Sequence, residues 1–222
     1  MAEVEVARDG PVATIALNRP DKKNALSIAL RDLFSDALDD LRDDESTRCV
    51  IVTGRGDTFS AGFDLREFTV DEPGFQERLW VSSDRFHRGM LHFPVPVIAA
   101  VNGAALAGGL DLAVMCDLRI ASETARFAHP ERTFGDVVYA PLHDLVGGAV
   151  ARELVLTGRV VSAGEARSIG LVNQVVPPDE LIAAAEAMAA DIAVVPRELL
   201  VRTKAKILAR QNIPSATTTL DL

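Results

Sequence analysis

Cysteine is scarce in this chain: Cys49 and Cys116 are the only two among 222 residues, each in an apolar context and neither in a paired motif. That argues against a disulfide framework and leaves two packed thiols in a reducing compartment as the expectation. Positive charge is also in deficit. The 23 lysines and arginines face 32 acidic residues, giving a formal charge of -9 and a pI near 4.9. Electrostatically driven nucleic-acid binding is excluded on that balance. Residues 1–6 have neither the basic region nor the apolar core of a signal peptide. The most apolar later segment, 182–195, carries Glu186 and Asp191, so no membrane span is expected and the cytoplasm is the expected location. His87, His92, His129 and His143 form no metal-ligand pattern, and neither a phosphate-binding P-loop nor a dinucleotide fingerprint is present. No metal and no redox cofactor is implied.

What is present is a core. Apolar residues make up 48% of the chain, enough for one domain spanning 1–222. Residues 4–7 and 12–17 read as strands joined by a hairpin turn at Arg8-Asp9-Gly10-Pro11. Ser27 is placed to cap a helix whose Leu30, Leu33, Phe34, Ala37, Leu38 and Leu41 recur at helical spacing. Further strands are expected at 49–53, 95–101, 118–121, 125–128 and 171–176, with a short buried helix at 110–116. Residues 67–94 read as a helix plus a mobile loop. Ser162 and Glu165 form a capping box, and two last helices are expected at 179–191 and 197–210. No repeat or low-complexity segment is visible. Strands alternating with helices imply an α/β layered domain.

Two short stretches carry the chemistry. Phe59-Ser60-Ala61-Gly62-Phe63-Asp64-Leu65 and Asn102-Gly103-Ala104-Ala105-Leu106-Ala107-Gly108-Gly109-Leu110-Asp111-Leu112 each follow an apolar run and end in a turn of small residues. Such turns leave backbone N–H groups uncovered, and the second opens a helix whose N-terminus favours negative charge. Two bare donors converging on one point would form an oxyanion hole, suited to a thioester enolate or a tetrahedral oxyanion.

Those turns, with Leu17-Asn18-Arg19-Pro20, Asn24-Ala25-Leu26, Ala99-Ala100-Val101-Asn102-Gly103, Met115-Cys116-Asp117, Pro130-Glu131 and Leu156-Thr157-Gly158, resemble the crotonase superfamily, the enoyl-CoA hydratase/isomerase group. The ordered series runs from about residue 4 to about 210. The resemblance implies a crotonase-like spiral of ββα units over about 1–175, a shortened helical C-terminal region over about 176–212, and a tail at 213–222. It implies a coenzyme A thioester as substrate, coenzyme A entering only as part of that substrate, and a homotrimer or a dimer of trimers. Matched position by position, it assigns the oxyanion-hole donors to the Phe63 and Gly108 N–H groups. It assigns acid–base chemistry to Glu131 and Asp111, the latter one methylene shorter than the glutamate of hydratases. It also assigns the coenzyme A cradle to Lys23, Asn24 and Ala25 and to Ala61, Gly62, Phe63, Asp64 and Leu65, with Lys22, Lys23 and Arg66 as phosphate partners.

Each assignment has a plainer alternative. Asp111 could serve only as a favourable charge in its helix's first turn. Lys22, Lys23 and Arg66 could be ordinary solvated cations. His129, Tyr139, Trp80 and Phe86 are further candidates for the pocket wall, while a packed aromatic or a packed or surface histidine is the commoner outcome. The activity implied is reversible hydration of a 2-enoyl-CoA. Double-bond isomerisation of enoyl- or dienoyl-CoA is the runner-up, since an Asp/Glu pair resembles the dienoyl-CoA isomerase branch, although Tyr139 stands where that branch has an aspartate. A non-catalytic acyl-CoA binder is the alternative of another class. The run from Gly135 to Leu145 departs from the Gly-x-x-Pro-x-x-Gly-Gly of hydratases, with Asp136 and Asp144 as extra carboxylates. The chain also ends at Leu222, before the helices that hydratases fold over the active site, so part of the usual phosphate contact is expected to be missing.

Overall fold

The computed structural model describes residues 2–211 except Phe134 and Asp136; the expected tail and the Asp136 carboxylate lie outside the described residues. Strand β1 (Val4–Asp9) turns at Gly10, where φ is +54°, and returns antiparallel as β2 (Val12–Leu17). Helix α1 (Ile28–Asp43) starts where expected, with the Ser27 hydroxyl accepting from Leu30 N–H. Next come β3 (Cys49–Gly54), β4 (Thr58–Ser60) and α2 (Phe75–Leu91). They are followed by β5 (Val97–Val101), β6 (Ala104–Leu106) and α3 (Gly108–Met115). Then β7 (Leu118–Ser122) and β8 (Arg126–Ala128) lead to a 3-10 turn at Pro130–Thr133. Helix α4 (Ala140–Thr157), strand β9 (Val161–Ser162) and helix α5 (Ala163–Ser168) complete the central part. Strand β10 (Gln174–Val176) and helices α6 (Leu181–Ala193) and α7 (Arg197–Gln211) finish the described chain.

From β3 to β8, successive strands alternate between two sheets. One sheet has the order β1-β2-β3-β5-β7-β10 and the other β4-β6-β8-β9. The pairs β3–β4, β5–β6 and β7–β8 each place one member in each sheet, and each lies parallel to the one before: β3 on β5 on β7, and β4 on β6 on β8. This is the spiral of ββα units. The central strands β3 and β5 are buried on both faces, as parallel strands covered on both sides must be. Cys49 and Ile51 point toward α6, meeting Leu181, Ala185 and Ala189, while Val50 and Val52 point toward the main core. Both cysteines are free and buried, and burial pushes each thiol up to about 12, so the packed-thiol reading holds.

The units are stitched where consecutive turns cross. Asn102, between β5 and β6, donates from Nδ2 to Gly56 O and accepts from Gly54 N–H through Oδ1. The next residue, Gly103, lies so close to the preceding turn that a β-carbon there would sit 1.9 Å from Asp57 O. No side chain fits without displacing backbone. Gly103→Ala should therefore lower the urea midpoint by the equivalent of about 1–3 kcal/mol. Gly164→Ala, in α5 where a β-carbon meets nothing within 4 Å, should be neutral or stabilising by up to about 1 kcal/mol. Equal midpoint changes in the two variants would show that the turn crossing does not constrain the fold.

Candidate active site

The site is built at the C-terminal ends of β4, β6 and β8. Register pairs Ser60 with Ala105 and Leu106 with Ala128, so the residues that leave each strand emerge side by side. Gly62-Phe63 follows β4, Ala107-Gly108 follows β6, and His129 and Glu131 follow β8. Ala107 N–H donates to Ala128 O at 3.0 Å, fastening the second turn to the third. A β-carbon on Gly62 would lie 2.7 Å from Ala107 Cβ and 3.0 Å from Gly108 N, and one on Gly108 would lie 2.9 Å from the Phe63 ring. The first two turns are therefore in direct contact, and only glycine permits it.

Among the described residues both N–H groups are without a backbone partner. Leu26 pairs with Phe63 through a parallel bridge in which Leu26 N–H donates to Gly62 O. Ala107 adopts φ 51° and ψ -131°, a costly conformation for a residue with a side chain. Its carbonyl accepts from Leu110 and Asp111 and so joins the helix. Because the N–H of a trans peptide points opposite to its C=O, the Gly108 N–H is turned out of the helix.

Under the Phe63 turn lies Arg31, fully buried. Its guanidinium donates to Leu26 O, Leu79 O and Ser82 Oγ, and it sits 4.4 Å from the centre of the Phe63 ring. Burial lowers its pKa to about 10. One side chain thus ties α1, α2 and the 26–63 bridge together beneath the turn. Sequence reasoning missed it, although Arg31 lies on the same face of α1 as Phe34 and Leu38, where a cation needs an explanation.

Asp111, in the first turn of α3, meets the groups that follow β8. Its carboxyl is buried, with Oδ1 3.9 Å from His129 Nδ1 and the Val138 backbone N–H facing it. No described hydrogen bond links it to its own helix's amides. His129 Nδ1 lies 2.8 Å from Glu131 Oε1. Asp111 Oδ1, Glu131 Oε2 and His129 Nε2 are buried without a hydrogen-bond partner among the described residues. Burial raises the Asp111 pKa to about 7, the nearby imidazole opposing that shift and the Glu131 charge adding to it. Burial works against a charged His129, but the Glu131 hydrogen bond and the Asp111 and Glu131 charges outweigh it, and its pKa is raised. Among the described residues, no group of three or more His, Cys, Asp or Glu is arranged to hold a metal ion.

The 22–26 loop runs beside the first turn, since Ala61 N–H donates to Lys23 O. This brings Lys22, Lys23, Ala25, Ala61, Asp64, Leu65 and Arg66 into one strip. Lys22, Lys23 and Leu65 are exposed. Asn24, at φ 51° and fully buried, anchors the loop through Arg19 N–H, Arg55 O and Thr58 O. Arg66 is already paired: it donates to both Asp64 oxygens at 2.9 and 2.6 Å. That hydrogen bond, with further help from the Arg66 and Arg19 charges, holds the buried Asp64 carboxyl down at about 2. Of the candidates for the pocket wall, Trp80 is half exposed and meets Phe68, which in turn stacks on Phe63. Phe86 lies wholly in the core against Phe34. Tyr139 is half-buried before α4, its ring 5.6 Å from His143. His129, in contrast, stands inside the carboxylate cluster.

A spiral of ββα units with two backbone donors beside buried carboxyls defines an α/β enzyme-type site at strand ends. Comparison with known proteins makes this specific. Residues 7–221 match the family model described as enoyl-CoA hydratase/isomerase, and the chain belongs to that family. A Thermus thermophilus relative is 42% identical over 199 residues, covering 87% of this chain and 78% of the relative. The short-chain-enoyl-CoA hydratase of Clostridium acetobutylicum is 36% identical over 191 residues, covering 84% and 73%. The crystal structure of an enoyl-CoA hydratase from Bacillus anthracis superposes with a TM-score of 0.90 at 33% identity, covering 96% of this chain and 84% of that one.

The raised Asp111 pKa has a consequence for stability. Between the ordinary carboxyl value and about 7 the folded protein binds the Asp111 proton that the unfolded chain releases, so stability contributed by this group is lost as pH rises through that window. Loss of the His129 charge at higher pH acts in the same sense. Asp111→Asn should therefore gain on the wild type between pH 4.5 and pH 7.5 in urea unfolding. A constant difference across that range would contradict the buried, proton-holding Asp111.

Proposed function

We propose that the chain acts on a coenzyme A thioester and catalyses reversible hydration of a 2-enoyl-CoA. The observation that carries this reading is that the Phe63 and Gly108 turns touch, their N–H groups without a described backbone partner, at the strand ends that also hold carboxyl oxygens buried without a partner among the described residues. The thioester oxygen would accept from both N–H groups, and the α3 dipole behind Gly108 would add to the field. Charge that develops on that oxygen when water adds to the β-carbon is then stabilised, each donor being worth about 3 kcal/mol. Glu131 takes one proton from the water whose oxygen bonds to the β-carbon and gives a proton to the α-carbon, so its carboxyl ends as it began and one water is added across the double bond. Asp111 orients the water or serves as the second acid–base group, and the same steps reversed expel water.

The 22–26 and 61–66 strip would carry the adenine and pantetheine through backbone groups, with exposed Lys22 and Lys23 toward the phosphates. Arg66 contributes less charge than a free arginine, because Asp64 already holds it. Coenzyme A enters as part of the substrate, with no further cofactor in the chemistry. Assembly as a homotrimer or a dimer of trimers belongs to the same reading, as does a cytoplasmic location. Among the described residues, no helix is long and apolar enough to cross a membrane.

The test follows the absorbance of the conjugated thioester when purified protein meets a short 2-enoyl-CoA. Glu131→Gln should lower the rate by about 10²–10⁴-fold while leaving coenzyme A binding in place. An unaffected rate would show that another group moves the proton. Tight binding with no turnover of enoyl- or dienoyl-CoA would leave a binding protein instead of an enzyme.

A further inference from the structure

The imidazole between the two carboxyls has no part in the reaction as written above, yet it is the best-held side chain of the cluster. His129 is fully buried, fixed at the end of β8 where the Ala107 N–H reaches Ala128 O. Pro130 separates it from Glu131, and the fixed φ of that proline sets the two side chains' relative direction. Its Nδ1 is 2.8 Å from Glu131 Oε1 and 3.9 Å from Asp111 Oδ1. Among the described residues these two carboxyls, one from α3 and one from the turn after β8, are the charged groups that act on it.

We propose that His129 is the positioning residue of the acid–base pair: its Nδ1–H holds Glu131 by Oε1, leaves Oε2 as the oxygen that exchanges the proton, and offsets the charge of two neighbouring buried carboxyls. The inference rests on the hydration reading for its kinetic consequence, but not for the contact itself. Ionised carboxylates only accept hydrogen bonds, so the proton between Nδ1 and Oε1 belongs to Nδ1 when Glu131 is charged. That assignment fixes the tautomer and leaves Nε2 as the lone-pair nitrogen whenever the ring is neutral. With Oε1 occupied, Glu131 cannot rotate its carboxylate freely, and Oε2 is the buried oxygen without a partner among the described residues. Two carboxylates in one dry site would otherwise resist ionising together. An imidazolium beside both opposes that conflict without cancelling the burial of Asp111, and the raised His129 pKa is in keeping with this role.

Two variants separate the hydrogen bond from the charge. In His129→Asn the amide nitrogen stands near the Nδ1 position and keeps a neutral donor, whereas His129→Leu keeps bulk and loses the donor. With a short 2-enoyl-CoA, His129→Leu should lose about 10²-fold in kcat with KM little changed, while His129→Asn should recover most of that loss and lose the pH limb due to the imidazole. Equal kcat in Asn and Leu variants would overturn the positioning role. A measurement without substrate tests the contact: the His129 NMR titration should lie above the ordinary histidine value and move down by about one pH unit or more in Glu131→Gln. A titration indifferent to Glu131→Gln would overturn the proposal even in an active enzyme. A wild type with no turnover would overturn the hydration reading and the kinetic role with it, and the titration would still decide the contact.

Discussion

Everything chemical in this protein depends on the register of three short parallel strands, β4, β6 and β8. Each is three residues long. Side by side in one sheet, they release their chains at the same level, and the three turns that follow must share one space. Glycine at 62 and 108 lets the first two turns touch, and the Ala107–Ala128 hydrogen bond joins the third. A slip of one residue would reverse every side chain on the slipped strand and part the backbone donors from the carboxyls. The crossing at Asn102 and Gly103 prevents it, because that turn packs on the turn before β4 with no room for a side chain.

The same site concentrates the molecule's costs. Ala107 holds an unfavourable backbone conformation, Arg31 is a cation out of water, and the Asp111–His129–Glu131 cluster keeps several polar atoms buried without partners among the described residues. Arg119 is the contrary case, a buried cation that is satisfied: its guanidinium donates to Leu171, Cys116, Ala113 and Asp117 carbonyls. Strain and unmet hydrogen bonds gathered at strand ends are what a substrate-binding site requires, since its groups must be held ready for a partner that arrives later.

Much of the fold was legible because local rules and packing agree. The Ser27 cap, the α1 stripe, the Ser162 cap of α5 and the strands at 12–17 and 118–121 lie where periodicity and turn chemistry put them. The strand expected at 171–176 begins only at Gln174, because Arg119 draws Leu171 O and Asn173 Oδ1 into other hydrogen bonds. Helix α2 starts only at Phe75, after a stretch in which Glu67 is taken by the Ile28 N–H. Phe86 looked like a pocket residue because its segment mixes charge with aromatics, yet helical spacing turns it onto Phe34.

The sequence by itself determined the family, the layered α/β architecture and the two small-residue turns. Those properties are written in residue order, through glycine where no β-carbon fits and through apolar periodicity. Only the tertiary structure decided which groups face one another. Residues far apart in the chain have no sequence signal for a distance of 2.8 or 3.9 Å, and side-chain direction depends on packing. The folded chain brings Asp111 beside His129 and Glu131, couples Arg66 to Asp64, and sets Arg31 beneath Phe63.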